Sequence, residues 1–123
     1  MRKVVIRNIN SPEIQPLVAN YCSSFSCQLR GLTFRRQLGS KEGLLLVQQR
    51  DSRLEAAIHM FGMLMDLAVI WINTNMQVVD VRLAKRWHPL YIPKFPARYV
   101  LETTPERLQD FKIGDEIQFD ESI

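Results

Sequence analysis

Leu67-Ala68-Val69-Ile70-Trp71-Ile72, followed by Asn73-Thr74-Asn75 and then Met76 to Leu83, is the stretch that decides the fold class. Two runs rich in β-branched and apolar residues flank a short polar link, and asparagine tolerates the positive φ of a tight reversal better than other non-glycine residues. The stretch reads as a β-hairpin. The same pattern recurs outward in both directions. Val4-Val5-Ile6 and Leu17-Val18-Ala19 read as strands separated by Asn8, Asn10, Ser11 and Pro12, and Pro12 and Pro16 exclude a helix between them. Leu44 to Val47, entered through Gly43, has the continuous apolar character of a strand buried on both faces, ending at a polar turn from Gln48 to Ser52. Ala56 to Met60, Arg98 to Thr103 and Glu116 to Phe119 complete the set. Seven or eight short strands with no long helix between them predict an all-β domain, a compact β-sandwich or barrel-like single domain over residues 1–123 with two short helices.

The first helix is expected after Ser23 or Ser24, either of which can cap it, with Phe25, Leu29 and Leu32 on one face and Gly31 at a left-handed exit. The second is expected at Thr104-Pro105-Glu106-Arg107, with Thr104 as cap and proline at the first helical position. Between β elements, Ala84 to Pro96 contains Pro89, Pro93 and Pro96 and must run as an irregular, surface-exposed loop.

A chain of 123 residues, 46% hydrophobic and 24% charged, has the size and composition of one globular domain, which excludes disordered, collagenous and coiled-coil readings. Residues 1–101 hold 14 Lys and Arg against 6 Asp and Glu, whereas residues 102–123 hold 2 against 7, so the acidic end is expected to fold back on a basic body. The start has no apolar run of signal-peptide length before Pro12. The longest apolar stretch, Ile58 to Ile72, is shorter than the ~20 residues a membrane helix requires. A cytoplasmic location with no membrane contact is expected. Cys22 and Cys27 are spaced by five, which is neither a C-x-x-C motif nor half of a zinc site, and are expected as free thiols. No metal or cofactor is expected.

Five motifs carry a family resemblance: Leu29-Arg30-Gly31-Leu32, Phe34-Arg35-Arg36, Glu42-Gly43-Leu44-Leu45, Tyr99-Val100-Leu101-Glu102 and Ile113-Gly114-Asp115. In this order the chain resembles the bacterial and archaeal family named domain of unknown function 192. That resemblance implies a β-rich single domain and no known activity. Many relatives have I-H-T-F-F-M followed by R-F-P-I-D where this chain has Ile58-His59-Met60-Phe61-Gly62-Met63 and then Leu64-Met65-Asp66-Leu67-Ala68. The family's proline and aspartate positions are thus held by Asp66 and Ala68, a carboxylate displaced by two.

Two functional readings follow. The first is a non-catalytic binding or accessory module for an unknown small molecule or protein, nucleic acid being a weaker option. Its contacts are assigned to Arg35, Arg36, Lys85, Arg86, Trp87 and Tyr91, because bases interleaved with aromatics suit stacking and anion contact. The second is a small hydrolase-like enzyme using His59 with Asp66 or Glu102 as acid and base. Against it, His59 is expected among core residues with a backbone carbonyl as partner, Glu102 as acceptor of N–H groups from a neighbouring turn, and Asp115 as the pin of the last turn. Met60, Met63, Met65 and Met76 suit either gap-filling or the lining of a groove.

Overall fold

β-Branched runs and turn residues alternate along the chain as strands β1 (Lys3–Asn8), β2 (Leu17–Cys22), β3 (Glu42–Ser52), β4 (Leu67–Ile72), β5 (Val78–Ala84), β6 (Ala97–Thr103) and β7 (Ile117–Glu121). Helix α1 (Phe25–Arg30) lies between β2 and β3, and a 3-10 helix (Pro105–Asp110) lies between β6 and β7. The computed structural model describes residues 2–33, 35 and 37–121. All seven strands form one mixed sheet in the order β5-β4-β6-β3-β2-β1-β7, in which β2 and β3 run parallel and every other pair antiparallel.

The sheet curls until its two edges touch. Gln77 and Glu116 form an isolated bridge just ahead of β5 and β7, and the Val78 N–H donates to the Asp115 carbonyl at 2.9 Å. This makes the domain barrel-like, and its interior takes side chains from all seven strands: Val4, Leu17, Leu45, Ile70, Val78, Leu101 and Ile117 are examples. The 3-10 helix closes one end, with Leu108 and Phe111 packed on that core. A second core lies on the outer face of the central strands, where Leu44, Leu46, Val69, Trp71 and Val100 are covered by Leu32, Ala56, Ile58, Met60 and Met63.

The hairpin forms where expected, Trp71 facing Asp80 and Leu67 facing Ala84, but the residue with positive φ is Met76 (63°) and not an asparagine. Asn73 contributes through its side chain, whose Oδ1 accepts the Gln77 N–H at 3.0 Å. Ala56 to Met60 is not a strand. Its backbone pairs with the loop between β5 and β6, Ile58 with Tyr91 in both directions and Met60 with Trp87 and His88, so it lies across the outer face instead of joining the sheet. Gln48 to Ser52 is not a turn either: β3 continues through it with a register shift, and its polarity reflects exposure of Gln49, Arg50 and Asp51.

Ser24 caps α1, its Oγ accepting the Cys27 N–H at 3.2 Å. Phe25 is 83% exposed, because a six-residue helix with its first turn at the surface buries little; Leu32 is buried, and the Leu29 side chain lies outside the described residues. Cys22 and Cys27 are not free thiols but form a disulfide. Capping of α1 directly after β2 brings their Cα atoms to 5.7 Å, within bridging range, which sequence spacing alone does not reveal. Thr104 precedes the second helix as expected, yet its hydroxyl makes no cap bond and is buried without a partner among the described residues.

Gly31 leaves α1 with φ 49°, and its N–H donates to the Cys27 carbonyl at 2.8 Å. A Cβ there would come no nearer than 3.8 Å to the Gln28 carbonyl and 4.0 Å to Leu44, so the penalty for substitution is conformational and not a clash. Gly31→Val is expected to destabilise by about 1 kcal/mol or more, read as a lower denaturation midpoint; an unchanged midpoint would refute the role.

Candidate functional site

β6 lies between β4 and β3, and Glu102 faces Val69 on one side and Leu44 on the other. Alternation along the strand puts Glu102 on the same outer face as Val100, inside the second core. The carboxyl is therefore 6% exposed in apolar surroundings, and burial pushes its pKa up to about 7. No N–H of a described residue donates to it, contrary to the expectation of a turn partner. Above it lies a cavity of about 110 Å³. Leu32, Leu46, Ile58, Met60 and Met63 give its apolar wall, and Gln28, Gln48, Arg30, Glu55 and His59 its polar part.

His59 is exposed rather than buried in the core, and its Nδ1 accepts the Phe61 N–H at 3.2 Å instead of the ring bonding a carbonyl. The apolar neighbours that suggested burial point inward while the histidine points out, as alternation in an extended segment requires. The structure brings His59 and Glu102 to one cavity and leaves Asp66 elsewhere. Asp66 lies just before β4, outside any strand, so a displacement by two does not carry it to an equivalent face.

Asp66 instead organises an open groove of about 730 Å³ bordered by Arg35, Leu38, Glu42, Met65, Arg86 and Thr104. Its Oδ1 accepts the Arg86 backbone N–H at 2.8 Å, and the Lys85 and Arg86 side chains approach to 3.9 and 3.3 Å. The backbone hydrogen bond from Arg86, aided by the charges of Arg86 and Lys85, holds this carboxyl below its usual range against a smaller effect of burial. On the opposite rim Arg35 lies 3.7 Å from Glu42, which also accepts the Gly39 N–H at 3.0 Å. Arg36 lies outside the described residues.

The loop after β5 is irregular, as its prolines require, and exposed from Lys85 to Leu90. Trp87 is 55% exposed with φ 65°, while its N–H is held by the Met60 carbonyl at 2.8 Å. Tyr91 is half-buried: its hydroxyl accepts the Lys85 N–H at 2.9 Å and its ring stacks on His88 at 4.4 Å. Tyr91 thus anchors the loop and Trp87 is the side chain it presents. Asp115 pins the last turn as expected, accepting from Lys112 N–H and Asn8 Nδ2 at 2.8 Å each.

Gln28 was not legible as a site residue. It lines the cavity only because α1 docks on β3, where its Nε2 donates to the Val47 carbonyl at 2.9 Å and its Oε1 accepts from Gln48 at 3.0 Å. Met60 and Met63 do both things methionine suggested, filling the outer core and lining the cavity. Among the described residues no group of three His, Cys, Asp or Glu side chains is placed to hold a metal. Among the described residues no helix is long and apolar enough to cross a membrane.

The model of the DUF192 family, described as Uncharacterized ACR, matches residues 6–119. The chain belongs to this family. A UPF0127 protein of Pyrococcus horikoshii is 35% identical over 98 residues, covering 78% of this chain and 82% of that one. A UPF0127 protein of Thermococcus gammatolerans is 39% identical over 99 residues, 79% of this chain and 63% of that protein, so the DUF192 chain spans less than two thirds of that relative's length. Among solved structures, a protein from Sinorhizobium meliloti 1021 described as a "putative transcription regulator" superposes with a TM-score of 0.83 over 96% of this chain and 92% of that one. At 18% identity this similarity shows a shared fold.

The raised pKa of Glu102 gives a signed pH dependence. The unfolded chain ionises this residue near 4.5 and the folded chain near 7, so between those values the folded state holds the extra proton. Stability therefore falls as pH rises through that window and is level above it. Glu102→Gln is expected to flatten this slope and to stabilise the protein above pH 7 by on the order of 2–3 kcal/mol, measured by urea denaturation across pH. A variant less stable than the parent at high pH would show that the carboxylate has a stabilising partner.

Proposed function

We propose that this domain is a binding module whose ligand or partner carries an anionic group and contacts the groove between Arg35 and Arg86, with Trp87 as its aromatic contact. The observation that carries this reading is convergence. Arg35 comes from the α1–β3 connection and Arg86 from the β5–β6 loop, yet both border one open groove. Glu42 and Asp66 are engaged with backbone N–H groups of Gly39 and Arg86, so the guanidinium groups keep donors for a further acceptor. Asp66 and the Tyr91 hydroxyl fix the loop before any ligand arrives, which lowers the ordering entropy that binding must overcome. Lys85 adds positive charge at the same rim.

A second reading, an acid–base enzyme, is favoured by one observation: His59 and Glu102 line the same cavity. Asp66 has no part in it. Turnover of a screened substrate by the parent, lost in a folded His59→Ala variant, would select this reading over the first.

A thermal-shift screen of nucleotides, sugar phosphates, carboxylates and oligonucleotides tests the binding reading, since a ligand at 100 times its dissociation constant stabilises by about 2.7 kcal/mol. The hit is then titrated against an Arg86→Ala, Trp87→Ala double variant. The Asp66 bond to the residue 86 N–H is a backbone bond and survives the change, so the variant should fold. Affinity is expected to fall about tenfold or more and to weaken with added salt. Equal affinity in the folded variant would remove the groove from the function.

A further inference from the structure

The groove leaves the cavity over Glu102 unexplained, and that cavity has its own chemistry. Its floor is a carboxyl on β6, an inner strand of the sheet, and is more than nine-tenths buried. The other polar groups nearby are engaged: Gln28 Nε2 on the Val47 carbonyl, Gln28 Oε1 on Gln48, His59 Nδ1 on the Phe61 N–H, and Glu55 on Arg50 at 2.8 Å. Glu102 alone among these has no donor from the described residues. A buried acid without a partner is unfavourable, and an apolar residue of similar size would fill the place with better packing. The space above it exceeds what one water molecule occupies and admits a small head group.

We propose that this cavity is a binding site for a small primary amine, whose ammonium group pairs with the Glu102 carboxylate while a short aliphatic chain lies against Leu32, Ile58, Met60 and Met63. Charge decides the class. The described cation lining the cavity, Arg30, is exposed and belongs to its rim, so the floor presents an acid beside the apolar wall of Leu32, Ile58, Met60 and Met63. An ammonium donates a charge-assisted hydrogen bond roughly twice as strong as a neutral hydroxyl would, and it supplies the opposite charge that a buried carboxylate requires. A carboxylate ligand would meet a like charge once Glu102 ionises. This site is separate from the Arg35–Arg86 groove and does not rest on it.

The pH dependence follows from the floor group. The titratable groups bordering it are Arg30 from α1 and Glu55 and His59 from the segment over the outer face; the flanking strands offer Leu44 and Val69, which do not titrate. Because Glu102 takes up its proton near pH 7, amine affinity should fall by about tenfold per pH unit below that value and level off above it. A His59→Gln variant separates the contribution of Glu102 from that of the histidine bordering the same cavity.

The test is titration of the full chain with n-butylamine, followed by the backbone amide NMR signals of Leu46, Met60 and Met63, alongside n-butanol and butyrate as neutral and anionic counterparts. Saturable binding of the amine, at least about tenfold tighter than the alcohol and absent for butyrate above pH 7, is the expected result. Glu102→Gln should lose amine binding while remaining folded, and the pH midpoint of binding should not move in His59→Gln. Ala57→Leu, which narrows the cavity at a half-buried position and keeps the carboxyl, should also weaken binding. Absence of saturation, equal binding of the alcohol, or retention of amine affinity by Glu102→Gln would each overturn the proposal. A midpoint that moves with His59→Gln would assign the charge recognition to the histidine and overturn it too.

Discussion

Every residue of β4 is buried, and this requires the sheet to be covered on both faces. One face is covered by the sheet itself: curling until Gln77 meets Glu116 encloses an interior to which all seven strands contribute. The other face has no second sheet to lie against. It is covered by connections, chiefly the end of α1 and residues 56–63, which seal less evenly than a regular element and leave a cavity between them. Trp71 shows how the connection is held, its indole N–H donating to the Ala56 carbonyl at 2.7 Å from within the core. The position of the cavity thus follows from how the outer face is closed.

The same closure explains Glu102. On an inner strand of a sheet covered on both faces, a carboxyl is kept from bulk solvent and bears the desolvation. Asp80 is buried as deeply but differs in its surroundings, since it accepts from the Val81 and Lys94 N–H groups and from Arg82. Two buried acids in one small domain therefore have opposite characters. Asp80 is part of the framework, and Glu102 has an unfilled capacity that faces a cavity.

Charge is arranged on the same plan. The acidic end does fold back on the basic start: β7 pairs with β1, and Glu121 and Asp120 meet Arg2 and Arg7 at 2.9 and 3.3 Å. These exposed pairs add little stability, but they remove positive charge from that edge. Arg107 is withdrawn altogether, buried with its guanidinium donating to Asp110 and to the Gln15 and Ser40 carbonyls, where it ties two distant segments to the 3-10 helix. Basic residues remain around the groove, Arg35 and Arg86 with Lys85 beside them, already partly offset by Glu42 and Asp66.

By itself the sequence determined what depends on near neighbours: the Leu67–Ala84 hairpin, the Ser24 cap, the left-handed exit at Gly31, the proline-held loop, the Asp115 turn and the all-β class. Alternation, capping and proline geometry act over a few residues, so they can be read in order along the chain. Only the tertiary structure decided the disulfide between Cys22 and Cys27, the exclusion of Ala56–Met60 from the sheet, the exposure of His59 and Phe25, and the separation of Asp66 from the Glu102 cavity. Each of those turns on which distant segment lies alongside. Ala56–Met60 has the composition of a strand but finds its hydrogen-bond partners in residues 87–91, because β4, β6 and β3 already satisfy one another's backbone groups and the outer face offers apolar surface without free N–H or C=O groups to pair with.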